Sequence, residues 1–149
     1  MVNPEIRTLH EADGTPVCNV SFDLSADQLA AAVQAVEAVR LARHRDEALG
    51  TDDVLALREL TSVSDELHRL AEHGAHATLV LPLARFVAMH DALGEWVHAL
   101  DERGWMRDEE REPWALLEPL LEPMAQLRAE ALHAVLGDGA PTPGPCGEA

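Results

Sequence analysis

Apolar residues recur at helical spacing in four stretches of this chain, and this periodicity limits the possible fold more than any other feature. Glycines, which favour helix ends, and Glu-Pro pairs, which interrupt helices, separate the stretches. The predicted helices run from Ser25 to Gly50, from Thr51 or Asp52 to Gly74, from beyond Leu81 to Gly104, and over about 120–136. A short helix near 113–118 and a kink are predicted before the last one, and Arg107 to Glu112 is predicted to be a charged loop.

The first helix has the clearest start signal. Ser25 is followed three residues later by Gln28, which is the spacing of a capping box. Leu24 and Leu29 flank this start and predict a hydrophobic staple. Gly104 is the predicted residue that ends the third helix in a left-handed conformation.

The N-terminal residues predict a β-hairpin. The segments Ile6–Leu9 and Val17–Phe22 flank a loop that contains Asp13-Gly14, a strong turn pair. Residues 77–81 predict either a short third strand or an extended entry into the third helix.

The predicted fold class is therefore α+β, mainly α, with the hairpin packed with four main helices arranged as two pairs. Strands before the first and third helices suggest a strand–helix–helix unit that occurs twice. We expect residues 1–136 to form a single globular domain and the Pro/Gly-rich residues 137–149 to be a disordered tail.

The charge excludes several partners. Eleven basic and 27 acidic residues give a formal net charge of −16. Nucleic-acid binding needs a basic surface, and anionic membranes repel an acidic one, so we expect neither partner. The charge is compatible with simple solubility or with docking on a basic protein. All eleven basic residues are arginine, which we interpret as the codon bias of a GC-rich, bacterial genome.

Two cysteines, Cys18 and Cys146, lie far apart in the sequence and do not predict a disulfide framework. The first residues contain no apolar run typical of a signal peptide. We therefore expect a cytoplasmic protein.

Glu-x-x-His occurs twice, at Glu95/His98 and at Glu130/His133, as in di-iron helical bundles. Helical geometry predicts that these side chains do not point into the core together, because Glu95 lies about 200° from Leu93 around its helix. A second group of histidines ends the predicted second helix and comprises His68, His73 and His76. We expect no metal site and no cofactor.

Arg85/His90 and Arg128/His133 share an Arg-x4-His spacing. This spacing resembles that of helical RNases of the HEPN kind, in which arginine would bind phosphate and histidine would transfer a proton. Both occurrences lack the polar residue that usually follows the arginine, and an acidic chain binds RNA poorly. We expect His90 to be a core histidine with its hydrogen bonds satisfied.

Three tryptophans surround the connection after the third helix. We expect Trp96 to pack in the core, whereas Trp105 and Trp114 lie beside charged residues, a composition typical of interface hot spots. Trp105 and Trp114 are therefore the candidate partner-binding residues. No phosphate loop, Cys-x-x-Cys pair or nucleophile elbow occurs.

The leading functional hypothesis is a non-enzymatic interaction or regulatory domain that forms a homodimer. The alternatives are an acidic inhibitor, such as an immunity-type protein for a basic partner, and a metal-dependent enzyme built on a helical bundle. We assign no catalytic, cofactor-binding or metal-binding residue.

Overall fold

The computed structural model describes residues 5–10, 16–45, 51–74 and 76–139. Its elements follow in the order β1 (Glu5–His10), β2 (Pro16–Leu24), α1 (Ala26–His44), α2 (Thr51–Ala71), β3 (Ala77–Pro82), α3 (Leu83–Arg103), α4 (Asp108–Leu117), a 3-10 turn (Glu118–Leu120) and α5 (Leu121–Gly139). The fold is α+β and mainly α, as the sequence predicts.

The three strands form one antiparallel sheet in the order β1-β2-β3. The predicted hairpin is confirmed, and the third strand is a genuine strand rather than an extended entry. Phe22 faces Leu79 and Val20 faces Leu81, and all four side chains are buried on the helix-covered side of the sheet. Ser21 faces Val80 on the opposite side. The predicted turn at Asp13-Gly14 lies outside the described residues.

A local twofold relation connects the two strand–helix junctions. Ser25 and Pro82 are the N-caps of α1 and α3, and the residues three positions earlier, Phe22 and Leu79, face each other in the sheet. Among the helices, α1 packs on α2, α3 and α4, and α3 also packs on α2 and α5. The suggested strand–helix–helix repeat stays a prediction.

The start of α1 confirms the capping box. The Gln28 amide donates to Ser25 Oγ at 3.1 Å, and the Ser25 amide donates to Gln28 Oε1 at 2.9 Å. Leu24 and Leu29 are both buried, as the staple predicts. The helix ends at His44 rather than at the predicted Gly50, and residues 46–50 lie outside the described part of the chain.

The predicted loop Arg107 to Glu112 is wrong, because α4 already begins at Asp108. Three carboxylates in its first turn suit the positive end of the helix dipole. Pro113 lies inside this helix and has no N–H for the carbonyl of Glu109, four residues earlier. The Gln34 side chain of α1 donates to that carbonyl at 3.2 Å and replaces the missing backbone donor.

The core lies between the sheet and the helices and includes the predicted apolar stripes. Trp96 is buried among them, which confirms its packing role. The helix α5 extends to Gly139, and residues 140–149 of the predicted tail lie outside the described residues. Among the helices that the structure describes, none combines the length and hydrophobicity needed to cross a bilayer.

Candidate functional site

The candidate site lies where α3 turns into α4. Gly104 ends α3 with a φ of 83°, a left-handed conformation that favours glycine, and its amide donates to the Leu100 carbonyl at 3.2 Å. This confirms the predicted helix end. The reversal places Trp105 and Met106 beside the last turn of α3, immediately before α4 begins.

Arg103 fixes the conformation of this connection. Its guanidinium carbon lies 4.0 Å from the centre of the Trp105 ring, and its Nε donates to the Trp105 carbonyl at 3.0 Å. The same guanidinium pairs with Glu110 through Nη2, and the Arg107 amide donates to Glu110 Oε1 at 2.9 Å. Burial alone would raise the pKa of Glu110, but hydrogen bonds from the Arg107 amide and the Arg103 guanidinium lower it. The carboxylate is thus held charged between the two arginines.

Trp105 and Trp114 line a surface pocket of about 520 Å³. Trp114 is half-buried against the core, and its indole N–H donates to Asp101 Oδ1 at 3.0 Å. Trp105 instead keeps 57% of its surface exposed. The other residues around the pocket are Leu100, Asp101, Gly104, Met106 and Arg111. The pocket therefore offers apolar walls, with one carboxylate and one guanidinium among its lining groups.

The residues of the two Glu-x-x-His spacings do not come together. Glu95, His98, Glu130 and His133 are all exposed. Glu95 accepts a hydrogen bond from Arg43 at 2.8 Å, and His98 lies 3.3 Å from Glu102 on its own helix. Within the described residues, no group of three or more His, Cys, Asp or Glu side chains is arranged to hold a metal ion.

The histidines near the end of α2 have separate partners. His68 Nδ1 lies 2.8 Å from the Ser64 carbonyl, and His73 Nδ1 lies 3.2 Å from the Arg69 carbonyl. His68 lies in α2 and His73 lies two residues beyond its end, and each contacts the carbonyl four residues earlier. His76 Nε2 instead lies 3.7 Å from Asp23 Oδ2 of β2. The group does not form a convergent ligand set.

The two Arg-x4-His spacings are connected by one contact. Arg128 of the second contacts His90 of the first, with 3.2 Å between Nη1 and Nδ1. His90 Nε2 lies 3.2 Å from the Leu121 carbonyl, and Arg85 pairs with Glu59 instead. Both ring nitrogens of His90 are therefore occupied, as expected for a core histidine with its hydrogen bonds satisfied. His133, the histidine of the second spacing, is exposed on α5 and does not join this contact.

An acidic groove between α1 and α4 is a feature that the sequence analysis missed. Asp27 of α1 and the α4 residues Asp108, Glu109 and Glu112 line it. These carboxylates come from distant parts of the chain, so their proximity depends on how α1 packs on α4. The run of acidic residues before Pro113 is the available signal, but the sequence predicts a loop there and not the first turns of α4.

Comparison with protein-family models, with curated proteins and with solved structures finds no match to this chain. The functional argument therefore depends on the side chains of the site itself.

Proposed function

We propose that this chain is a non-enzymatic protein-interaction domain that receives a side chain of a partner protein in the pocket of Trp105 and Trp114. The supporting observation is that Trp105 keeps 57% of its surface exposed although Arg103 holds both its ring and its carbonyl. An apolar surface that is already fixed loses little conformational freedom on binding, which is why tryptophan is common at the energetic centres of interfaces.

The lining of the pocket indicates what would fit. Leu100 is buried, while Met106 and Trp114 pack against the core, so the apolar walls are supported by the rest of the fold. Asp101 and Arg111 can pair with polar groups of either sign. These features favour one apolar anchor side chain on a peptide segment whose backbone or neighbouring residues are polar.

The experiment is a selection of displayed peptides on the immobilised full-length chain, followed by fluorescence anisotropy with the individual labelled peptides. We expect Trp105→Ala to weaken their binding by about tenfold or more, because truncating a hot-spot tryptophan costs about 2 kcal/mol or more. The matched control is Leu55→Ala, since Leu55 is 50% exposed on α2, away from the pocket.

Circular dichroism and thermal unfolding of both variants check that the fold is kept. A selection that yields no binding peptide, or peptides that bind Trp105→Ala and the unsubstituted chain equally well, would overturn the proposal.

The acidic groove favours a second candidate, an inhibitor that docks on a basic protein. Asp27 of α1 and the α4 residues Glu109 and Glu112 gather carboxylates along one groove, and the α4 residues of the tryptophan pocket, Arg111 and Trp114, lie on a different side of this helix. Carboxylates gathered on one surface attract a basic partner and speed its association at low salt.

This candidate predicts that the selected peptides are rich in Arg and Lys and bind more weakly as the salt concentration rises. The triple substitution Asp108→Asn, Glu109→Gln, Glu112→Gln should weaken binding more than the charge-matched control Glu72→Gln, Glu122→Gln, Glu130→Gln. Equal effects of the two triple variants would rule out a specific role for the groove.

A further inference from the structure

The strand β3 lies at an open edge of the sheet. One side of β3 pairs with β2, and no strand of the described residues pairs with its other side. Its sequence, Ala77–Pro82, contains no charged residue. Edge strands of monomeric proteins are usually protected from pairing by charges, prolines, bulges or covering elements, and in β3 the proline is confined to the last position, Pro82. Val80 adds an apolar side chain that is 53% exposed on the face of the sheet away from the core.

A trench of about 380 Å³ runs between this edge and α2. The charged residues that line it are Asp65 and Glu66, which are acidic, and Arg69 and Arg85, which are basic. The two negative and two positive charges cancel in the trench, although the whole chain carries a formal net charge of −16. Arg69 pairs with Glu66 on its own helix at 2.5 Å and remains largely exposed, so its guanidinium is accessible to a second partner.

We propose that β3 pairs antiparallel with β3 of a second copy of this chain, which joins the two sheets into one sheet of six strands. A twofold axis through such a contact presents the same surface to itself, so the surface must be self-complementary. The balanced charges of the trench meet this requirement, because Asp65 and Glu66 of one copy can face Arg69 and Arg85 of the other. Two copies that met through the one-signed acidic groove would repel each other.

The faces of the sheet restrict the register. Directly opposed residues of an antiparallel pair point to the same face, and a shift by one residue would oppose buried and exposed side chains. A pairing centred on Val80 places it opposite Val80 of the partner subunit and keeps the helices of both copies on one side. Backbone hydrogen bonds and the contact of the two valines then hold the strands together.

The test is sedimentation velocity of the full chain from about 1 to 100 µM, a range in which mass action separates weak dimers from monomers. We expect the unsubstituted chain to reach twice the monomer mass as its concentration rises. Val80→Lys should remain a monomer, because like charges would meet directly across the twofold axis. Val54→Lys is the matched control, since Val54 is 45% exposed on α2 outside the trench, and it should dimerise normally.

A second measurement does not depend on a disruptive substitution. In a Cys146→Ser background, Val80→Cys should form a disulfide-linked dimer on mild oxidation, and Val54→Cys should not. A chain that stays monomeric over the whole range, as it would if β3 received a strand of another protein, overturns the proposal. So does a dimer that Val80→Lys leaves intact. Neither result bears on the tryptophan pocket, which is formed by different residues.

Discussion

The α1–α2 contact and the α3–α5 contact each hold a partly buried ionisable side chain, but the first contact keeps it charged and the second keeps it neutral. In the first, Glu37 accepts hydrogen bonds from Arg40 at 2.7 and 3.0 Å and from Ser64 Oγ at 2.6 Å. The bonds from Arg40 and then Ser64 lower the pKa of Glu37 to about 2, so the carboxylate stays charged.

In the second contact, His90 is stacked on Phe86 and bonded at both ring nitrogens, to Leu121 and Arg128. Burial is the main reason that the pKa of His90 is lowered, and the guanidinium of Arg128 adds to the effect, so the ring stays neutral. The difference shows that a contact between two helices can accommodate an ionisable side chain in two ways. Either a partner of opposite charge stabilises the charged form, or burial favours the neutral form. The two contacts should therefore weaken at different pH values.

The largest expected effect comes from Phe86→Ala, which removes the ring that is stacked on His90. Phe86 packs edge-on against Phe22, with 5.4 Å between ring centroids. Its removal should lower the free energy of unfolding by about 3–5 kcal/mol in urea titrations. Water would then reach His90, and its pKa should rise toward the ordinary value when followed by NMR. Phe86→Leu provides a milder variant, and Leu132→Ala, at an exposed site, should change stability by less than about 0.5 kcal/mol.

An unchanged pKa of His90 in folded Phe86→Ala would show that burial is not the cause of its neutral state.

The second-largest expected effect concerns the α1–α2 contact, in which Glu37 is charged. Glu37→Gln keeps the shape of the side chain but removes its charge, and it should cost about 1–3 kcal/mol at neutral pH. The Gln amide has one acceptor oxygen where the carboxylate has two, so Arg40 loses its charged partner and one of its two hydrogen bonds. A carboxylate with a lowered pKa stabilises the fold above its ordinary value of 4.5 and loses that contribution as the pH falls toward about 2. The difference between the variant and the unsubstituted chain should therefore shrink over this range in urea titrations. Glu130→Gln, at an exposed site, should show no such trend.

The smallest expected effect concerns the α3–α5 contact, in which His90 is neutral. His90→Gln can still donate to the Leu121 carbonyl but loses one hydrogen bond, so it should cost about 0.5–1.5 kcal/mol above neutral pH. Because the folded chain holds its histidine at a lowered pKa, its stability is complete above the ordinary value of 6.5 and falls as the pH drops below it. Thermal unfolding between pH 7 and 5 should show a shallower decline for the variant. An unaltered slope would mean that another group controls this range.

Local signals predicted the element ends that depend on near neighbours. The capping box at Ser25 and Gln28 and the left-handed Gly104 are both confirmed, because each involves residues within one helical turn. Contacts between distant residues were not predictable in the same way. The helical start at Asp108 was missed because Pro113 normally disfavours a helix interior, and the compensating Gln34 lies 75 residues from its acceptor Glu109.

The residues of the candidate site could be predicted from the sequence, but the contacts between them could not. Exposed tryptophans beside charges indicated Trp105 and Trp114, but their spacing gave no sign that Arg103 would stack on the indole. In the same way, residues 77–81 indicated a strand, but the sequence did not show that β3 would lie at an edge of the sheet or that α2 would place balanced charges beside it. These features depend on packing, which periodicity alone does not describe.

The hydrogen bond from Gln34 to the Glu109 carbonyl makes the residue needed at position 34 depend on the residue at position 113. With proline at 113, the Gln34 amide donates to that oxygen, which otherwise depends on water at this exposed site. Any other residue at 113 restores a main-chain N–H, and position 34 is then released to vary. Substitution of Gln34 should therefore cost less in a chain that lacks Pro113 than in the unsubstituted chain.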